Sequence, residues 1–294
     1  MIPQKETVPF VPISPYEIIE EVHQACELGI TMVHLHARKA NGVPSSLAAD
    51  YAPIVEGIRT HCPDLVICTS LSGRTVSDPM QRAEVLSLGP DMGSLTLSSL
   101  NFAQKASVNS PETIQYLAAE MSRVGVKPEL EVFDIGMMNY LNYLIKKQKL
   151  TPPFYINIIL NNIAGLQATP AHLSAVLGDA PSDSYIGLGG IGSAQLDAHL
   201  MALSQNLGVR IGLEDNIHFD RNRTVIASNT SLLRRLHQLM ELCERDFMEA
   251  KEEVRKVGDA CDEQVLECKN KKKEQARRKR KKRKTGADIS IKWK

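Results

Sequence analysis

Apolar positions from residue 15 to about 245 follow two alternating rhythms. Seven short β-rich runs fall at residues 30–36, 65–70, 92–97, 130–134, 154–160, 184–188 and 209–214. Between them lie stretches with helical spacing, such as 15–28, 49–61, 78–88, 111–125 and 193–207. Four helix starts pair a capping residue with a proline suited to the first turn: Ser14-Pro15, Asp78-Pro79, Ser110-Pro111 and Thr169-Pro170. Repeated β–α units predict a parallel sheet with helices outside. A repeat of about 25–35 residues favours an α/β fold of the TIM (β/α)8-barrel type over an open sheet.

The strands number seven, where such a barrel has eight. The proline-punctuated lead VPFVPISPYEI, residues 8–18, runs straight into the first helix. The sequence therefore predicts a barrel lacking a clear first strand.

Two runs carry candidate chemistry. In V-H-L-H-A-R, residues 33–38, strand alternation points His34 and His36 to one face. In G-V-R-I-G-L-E-D-N, residues 208–216, an apolar strand ends on Glu214 and Asp215, four and five residues after Arg210. Two histidines and a carboxylate are a common set for a catalytic zinc that keeps a position open. A third run, G-L-G-G-I-G at 187–192, matches the dinucleotide fingerprint literally. Only one strand follows it, so a nicotinamide or flavin cofactor is the weaker reading. In a barrel, the loops after strands seven and eight commonly bind phosphate. The other histidines singled out, His23, His61, His199 and His237, fall in helical stretches and are expected at the surface.

Composition refines this picture. No apolar run reaches the ~18–20 residues that span a bilayer, and the N-terminus has no basic-then-apolar leader pattern. Six cysteines form no C-x-x-C pair, which points to reduced thiols and a cytoplasmic location. The net charge of +1 conceals an asymmetry. Residues 269–284 hold 12 Lys/Arg and one Glu, whereas residues 1–268 hold 21 Lys/Arg and 32 Asp/Glu. The organisation expected is a catalytic barrel at 1–245, a helical extension at 246–268, and a basic disordered tail at 269–294. The tail is a solvated extension, with nuclear import or a nucleic-acid arm as minor alternatives. Its end, TGADISIKWK, has the only Trp and no evident link to the core.

Taken together, V-P-I-S-P-Y-E-I, V-H-L-H-A-R-x-x-x-G-x-P, K-P-E-L-E-V-F-D, G-L-G-G-I-G-S-A-Q-L and V-R-I-G-L-E-D-N resemble the β-keto acid cleavage enzyme family, in family order from about residue 11 to 242. The resemblance implies a TIM barrel with a divalent metal, usually zinc. It implies acyl exchange between a β-keto acid and acetyl-CoA, giving acetoacetate and a new CoA thioester. His34, His36 and Glu214 would be the metal ligands. Ser70 would be an active-site serine, and Ser94 would stand where a relative carries threonine. Glu131 would bind substrate, with a preference for a cationic one, and Arg210 and Asp215 would handle the abstracted proton. Gly189, Gly190 and Gly192 would contact CoA phosphates. All the proposed polar residues fall at or near strand C-termini, the catalytic face of a barrel.

In a closed barrel the missing strand would lie between the strands bearing the histidines and Glu214. Two rivals remain at this stage: a metal hydrolase of the amidohydrolase type, and a degenerate non-catalytic barrel acting through its tail. The family tendency and the exposed edges imply a homo-oligomer.

Overall fold

The computed structural model describes residues 3–74 and 76–246. The expected helical extension and basic tail lie almost wholly outside these residues. In chain order the elements begin with α1 (Pro15–Glu27), β1 (Met32–Leu35), α2 (Ala48–His61), β2 (Val66–Thr69), α3 (Pro79–Ala83) and β3 (Met92–Thr96). A small hairpin, β4 (Leu100–Asn101) and β5 (Ala106–Ser107), precedes α4 (Pro111–Val124), β6 (Lys127–Val132) and α5 (Ile135–Lys146). Then come β7 (Phe154–Leu160), α6 (Pro170–Gly178), β8 (Ser184–Gly190), α7 (Gln195–Ser204), β9 (Gly208–Val209) and α8 (Asn229–Leu242).

The helix starts obey their capping chemistry. Ser14 and Glu17 close a reciprocal capping box on α1, while the side chains of Asp78, Ser110 and Thr169 accept from the first turns of α3, α4 and α6. The stretch expected as one helix over 78–88 is α3 followed by a 3-10 turn, Glu84–Leu88, which stops at left-handed Gly89.

Seven strands form one parallel sheet in the order β1-β2-β3-β6-β7-β8-β9. Residues such as Ile54, Leu117, Met121 and Leu141 are buried between the sheet and the helices. A separate cluster of Val66, Cys68 and Met92, with Met32 and Tyr155 against it, fills the concave side. The seven-strand count matches the sequence expectation. Edge strands β1 and β9 have no recorded ladder to each other among the described residues.

The last strand departs from expectation. Sequence periodicity predicts a strand over 209–214, but β9 is only Gly208–Val209. From Ile211 the backbone turns, and the N–H groups of Asp215 and Asn216 both donate to the Gly212 carbonyl at 3.2 Å. Pairing on one side only leaves few ladder bonds to keep the segment extended.

His199 also departs from the surface expectation: it is 0% exposed on α7. Its Nε2 lies 3.1 Å from the Arg210 carbonyl, which can only accept, so Nε2 carries the proton. Burial pushes its pKa down to about 4. Because the folded value lies below the ordinary histidine value of 6.5, protons bind the unfolded chain first. Stability is therefore full above pH 6.5 and falls toward pH 4, by ~1.4 kcal/mol per pH unit from this residue. Denaturant titrations at pH 7 and 5 are expected to show a shallower pH loss in His199→Gln than in the parent protein.

Candidate metal centre and active site

The parallel register gathers side chains from distant segments on the concave face. His34 pairs in register with Cys68, and Thr96 with Glu131. His34 and His36 lie with ring centroids 5.0 Å apart, as period-2 alternation demands. The His36 Nε2 faces Glu214 Oε1 at 3.1 Å, yet this buried nitrogen has no aligned hydrogen-bond partner. Two donor atoms facing each other without a bond suit a shared cation. The ligand atoms of His34, His36 and Glu214 all lie within 4.8 Å of one another.

Beneath this set sits a residue that sequence reasoning missed. Glu129, 1% exposed, takes His34 Nδ1 at 2.6 Å, Asn157 Nδ2 at 2.8 Å and Cys68 Sγ at 3.2 Å. A carboxylate on Nδ1 fixes the imidazole and leaves Nε2 for a metal. Burial disfavours the His34 cation, but Glu129 overcomes it and lifts the pKa to about 9. Burial would raise the Glu129 carboxyl, yet His34 and Arg210 hold it at about 2. The signal was present in P-E-L-E, since alternation puts Glu129 on the same face as Glu131.

Arg210 organises the acidic pair. Its Nε donates to Asp215 Oδ2 at 2.8 Å and its Nη2 to Glu214 Oε2 at 3.0 Å. The Nη1 is buried without a hydrogen-bond partner, 3.9 Å from Glu129 and 4.0 Å from Glu131. It is a donor with capacity to spare for a substrate oxygen. Glu214 also accepts from Arg74 Nη2 at 2.8 Å, and Arg74 lies over the Phe102 ring. Burial opposes the Glu214 charge, but His36, Arg210 and Arg74 hold its carboxyl well below the usual range. Arg74 follows no motif, so nothing in the sequence marked it.

These groups line a small cavity with Ser70, Thr96 and Glu131. Burial and the charge of Glu129 raise the Glu131 pKa, and its Oε2 accepts from Thr96 Oγ1 at 2.5 Å. Ser94 is not among the lining residues: its Oγ accepts from the Leu71 N–H at 3.0 Å. Thr96, two residues on, presents the hydroxyl at the cavity.

The Gly-rich end of β8 and the turn after it brace this assembly. A Cβ on Gly189 would meet Arg210 side-chain carbons at 3.2 Å, and one on Gly190 would meet the Ala194 carbonyl oxygen at 2.7 Å. Gly192 has φ +65°, and its N–H donates to the Asp215 carbonyl at 2.8 Å. That N–H is committed to the acidic turn. Gly189→Ala is expected to leave the fold intact and lower kcat by displacing Arg210; steady-state kinetics beside a thermal melt will check this. An unchanged kcat would contradict the bracing role.

The profile of the beta-keto acid cleavage enzyme family matches residues 1–258. The chain belongs to this enzyme family. A 3-oxoadipate:acetyl-CoA acetyltransferase from Cupriavidus necator is 33% identical over 247 residues, covering 83% of this chain and 85% of the relative. A 3-keto-5-aminohexanoate cleavage enzyme from Acetoanaerobium sticklandii is 32% identical over 218 residues, covering 74% and 80%. Among solved structures, apo ObcA superposes with a TM-score of 0.71 at 19% identity. That match covers 85% of this chain and 66% of ObcA, so the chain spans slightly under two thirds of ObcA's length. A ternary complex of ObcA with a C4-CoA adduct and oxalate superposes at 0.70 and 18% identity. These structural likenesses speak for the fold.

Proposed function

We propose that this protein exchanges an acyl group between a β-keto acid and acetyl-CoA, using a zinc ion held by His34, His36 and Glu214. The observation that carries this reading is the meeting of that ligand set with Arg210 and Asp215 around one cavity. The relatives' names fit it, since one acts with acetyl-CoA on 3-oxoadipate and another cleaves a β-keto amino acid.

A zinc ion bound there would supply Lewis-acid polarisation of the substrate's keto group. The chain's own residues do the rest. Arg210 offers its unpaired Nη1 to the substrate carboxylate. Asp215, held ready by Arg210, takes a proton from the carbon between the carboxylate and the keto group. That carbon then bonds to the acetyl carbonyl and CoA leaves. The CoA thiolate then attacks the original keto carbon, the bond from that carbon to the acetylated carbon breaks, and the carbanion released takes back the proton held by Asp215, so that acetoacetate and the new CoA thioester depart. Ser70 and Thr96 line the same cavity and are placed to orient the keto acid. Ser94 acts through Leu71, whose N–H it binds. Glu131 favours a cationic group on the substrate.

The end of β8 with Gly189 and Gly190, and Gly192 beyond it, carry the CoA end through the start of the helix that follows, because the Gly192 N–H is already engaged. The described cysteines, Cys26, Cys62, Cys68 and Cys243, are all unbridged, which supports a cytoplasmic location. No described helix is long and apolar enough to cross a membrane. Edge strands β1 and β9, which pair with no further strand among the described residues, support self-association.

The test is incubation of the zinc-loaded protein with acetyl-CoA and a panel of cationic, neutral and dicarboxylic β-keto acids. Acetoacetate is expected from at least one, with a cationic member preferred and that preference reduced in Glu131→Ala. No acetoacetate from any member would remove the reading.

A further inference from the structure

Arg82, on α3, lies outside the catalytic cavity and is only 2% exposed. A buried cation is costly unless an acid pairs with it, yet the hydrogen bonds of Arg82 go to neutral oxygens. Its Nε donates to the Leu71 carbonyl at 2.7 Å and its Nη2 to Asn109 Oδ1 at 2.7 Å. Its Nη1 donates to the Val108 carbonyl at 3.5 Å. Burial pulls the pKa down to about 10 against the attraction of Glu131, so the guanidinium remains charged at neutral pH.

These acceptors belong to two separate segments, and both segments line the cavity. Leu71 sits between Ser70 and Ser72 in the loop after β2, which continues to Arg74. Its N–H is held by Ser94 Oγ at 3.0 Å and its carbonyl by Arg82, so the peptide is fixed from both sides. Val108 and Asn109 follow the β4–β5 hairpin, which sends Leu100, Phe102 and Ser107 to the cavity wall. Asn109, 3% exposed, ties the chain entering that hairpin to the chain leaving it. Its Nδ2 donates to the Ser98 carbonyl at 3.1 Å and to Ser107 Oγ at 3.3 Å, and its N–H donates to Ser99 Oγ at 2.8 Å.

The two segments are pressed together at Arg82. A Cβ on Gly73 would lie 2.6 Å from the Val108 carbonyl oxygen and 2.9 Å from Arg82 Nη1. They meet again at the cavity, where Arg74 lies 4.8 Å over the Phe102 ring while donating to Glu214 at 2.8 Å. Phe102 in turn meets Phe133 edge to face, with centroids 5.9 Å apart.

We propose that Arg82 is a positioning residue for acyl exchange, clamping the loop after β2 to the β4–β5 hairpin so that Arg74 stays on Phe102 and Glu214. The planar fork suits the task, because it serves separate acceptors in fixed directions. This role rests on the acyl-exchange reading above.

The test compares Arg82→Met and Arg82→Lys with the parent, using a β-keto acid that the parent turns over, below the melting temperature of every protein. Methionine removes the clamp and its charge, whereas lysine keeps the charge and loses the fork. Both should lower kcat with KM little changed, Arg82→Met by ~10–100-fold, since small misplacements remote from the chemistry cost that much. Parent-like kcat in Arg82→Lys would mean that charge alone matters and would overturn the clamp. In an Arg74→Met background, Arg82→Met should cost little more, because the two act as one unit. Additive losses would make Arg82 merely structural and also overturn the proposal. If Arg82→Met does not fold, Arg82→Lys carries the same comparisons. Hydrogen exchange reads the clamp without turnover: amides of residues 98–109 should exchange several-fold faster in the variants, while β7 and β8 stay protected. Parent-like exchange across 98–109 would overturn the proposal. Faster exchange there in the variants of a protein that forms no acetoacetate would uphold the clamp and remove the acyl-exchange reading instead.

Discussion

Glu214→Gln is expected to abolish acetoacetate formation and to strip zinc from the protein on dialysis. The substitution preserves shape but removes the charge facing His36 Nε2 at 3.1 Å and receiving Arg74 and Arg210 at 2.8 and 3.0 Å. A neutral amide is a far poorer zinc ligand than a carboxylate. The two guanidinium groups would also lose a common acceptor and drift from the cavity. The loss should exceed the ~10–100-fold typical of an outer-shell partner. Metal analysis beside kinetics checks both parts. Retained zinc with retained turnover would move the third ligand elsewhere, and Glu129 is the carboxylate that remains beside His34.

The second large effect is expected at Glu129. It is almost fully buried and holds His34 Nδ1 at 2.6 Å, so its influence on the ligand set runs chiefly through His34. Removing it in Glu129→Ala leaves the His34 ring without its Nδ1 acceptor and Asn157 without its carboxylate partner. Breaking a buried charged pair costs about 3–5 kcal/mol. Loss of a histidine's outer partner lowers metal affinity by ~10–100-fold. Denaturant melts measure the first, and zinc competition with a chromophoric chelator measures the second. Glu129→Gln separates the two roles, because its amide oxygen can still accept from Nδ1–H while the charge is gone. It should restore most of the stability and part of the zinc affinity. A Glu129→Ala protein that binds zinc as tightly as the parent would confine Glu129 to a purely structural role.

Much of this was legible in the chain. The seven strands of the parallel sheet and four capped helix starts follow from local patterns that packing reinforces. His34 and His36 were placed by alternation, and Arg210 with Glu214 and Asp215 by their spacing at the end of β9. The rest depended on tertiary context. The break after Val209 depends on tertiary pairing, since β9 has only β8 beside it among the described residues. His199 looked like a surface residue because its helix gives no sign that the Arg210 carbonyl lies beneath it. Arg74 reaches Glu214 across 140 positions of sequence, a contact only the folded sheet creates. Ser94 and Thr96 share a face, and only the Leu71 bond to Ser94 shows which hydroxyl reaches the cavity.

In the proposed reaction the acyl groups change partners at this cavity. The most direct measurement follows acetyl-CoA labelled in its acetyl group, incubated with the zinc-loaded protein and a β-keto acid that it turns over. The label is expected in the keto and methyl carbons of acetoacetate, one equivalent for each new CoA thioester, which itself stays unlabelled. Label in the new thioester, or unlabelled acetoacetate released without consumption of acetyl-CoA, would contradict it.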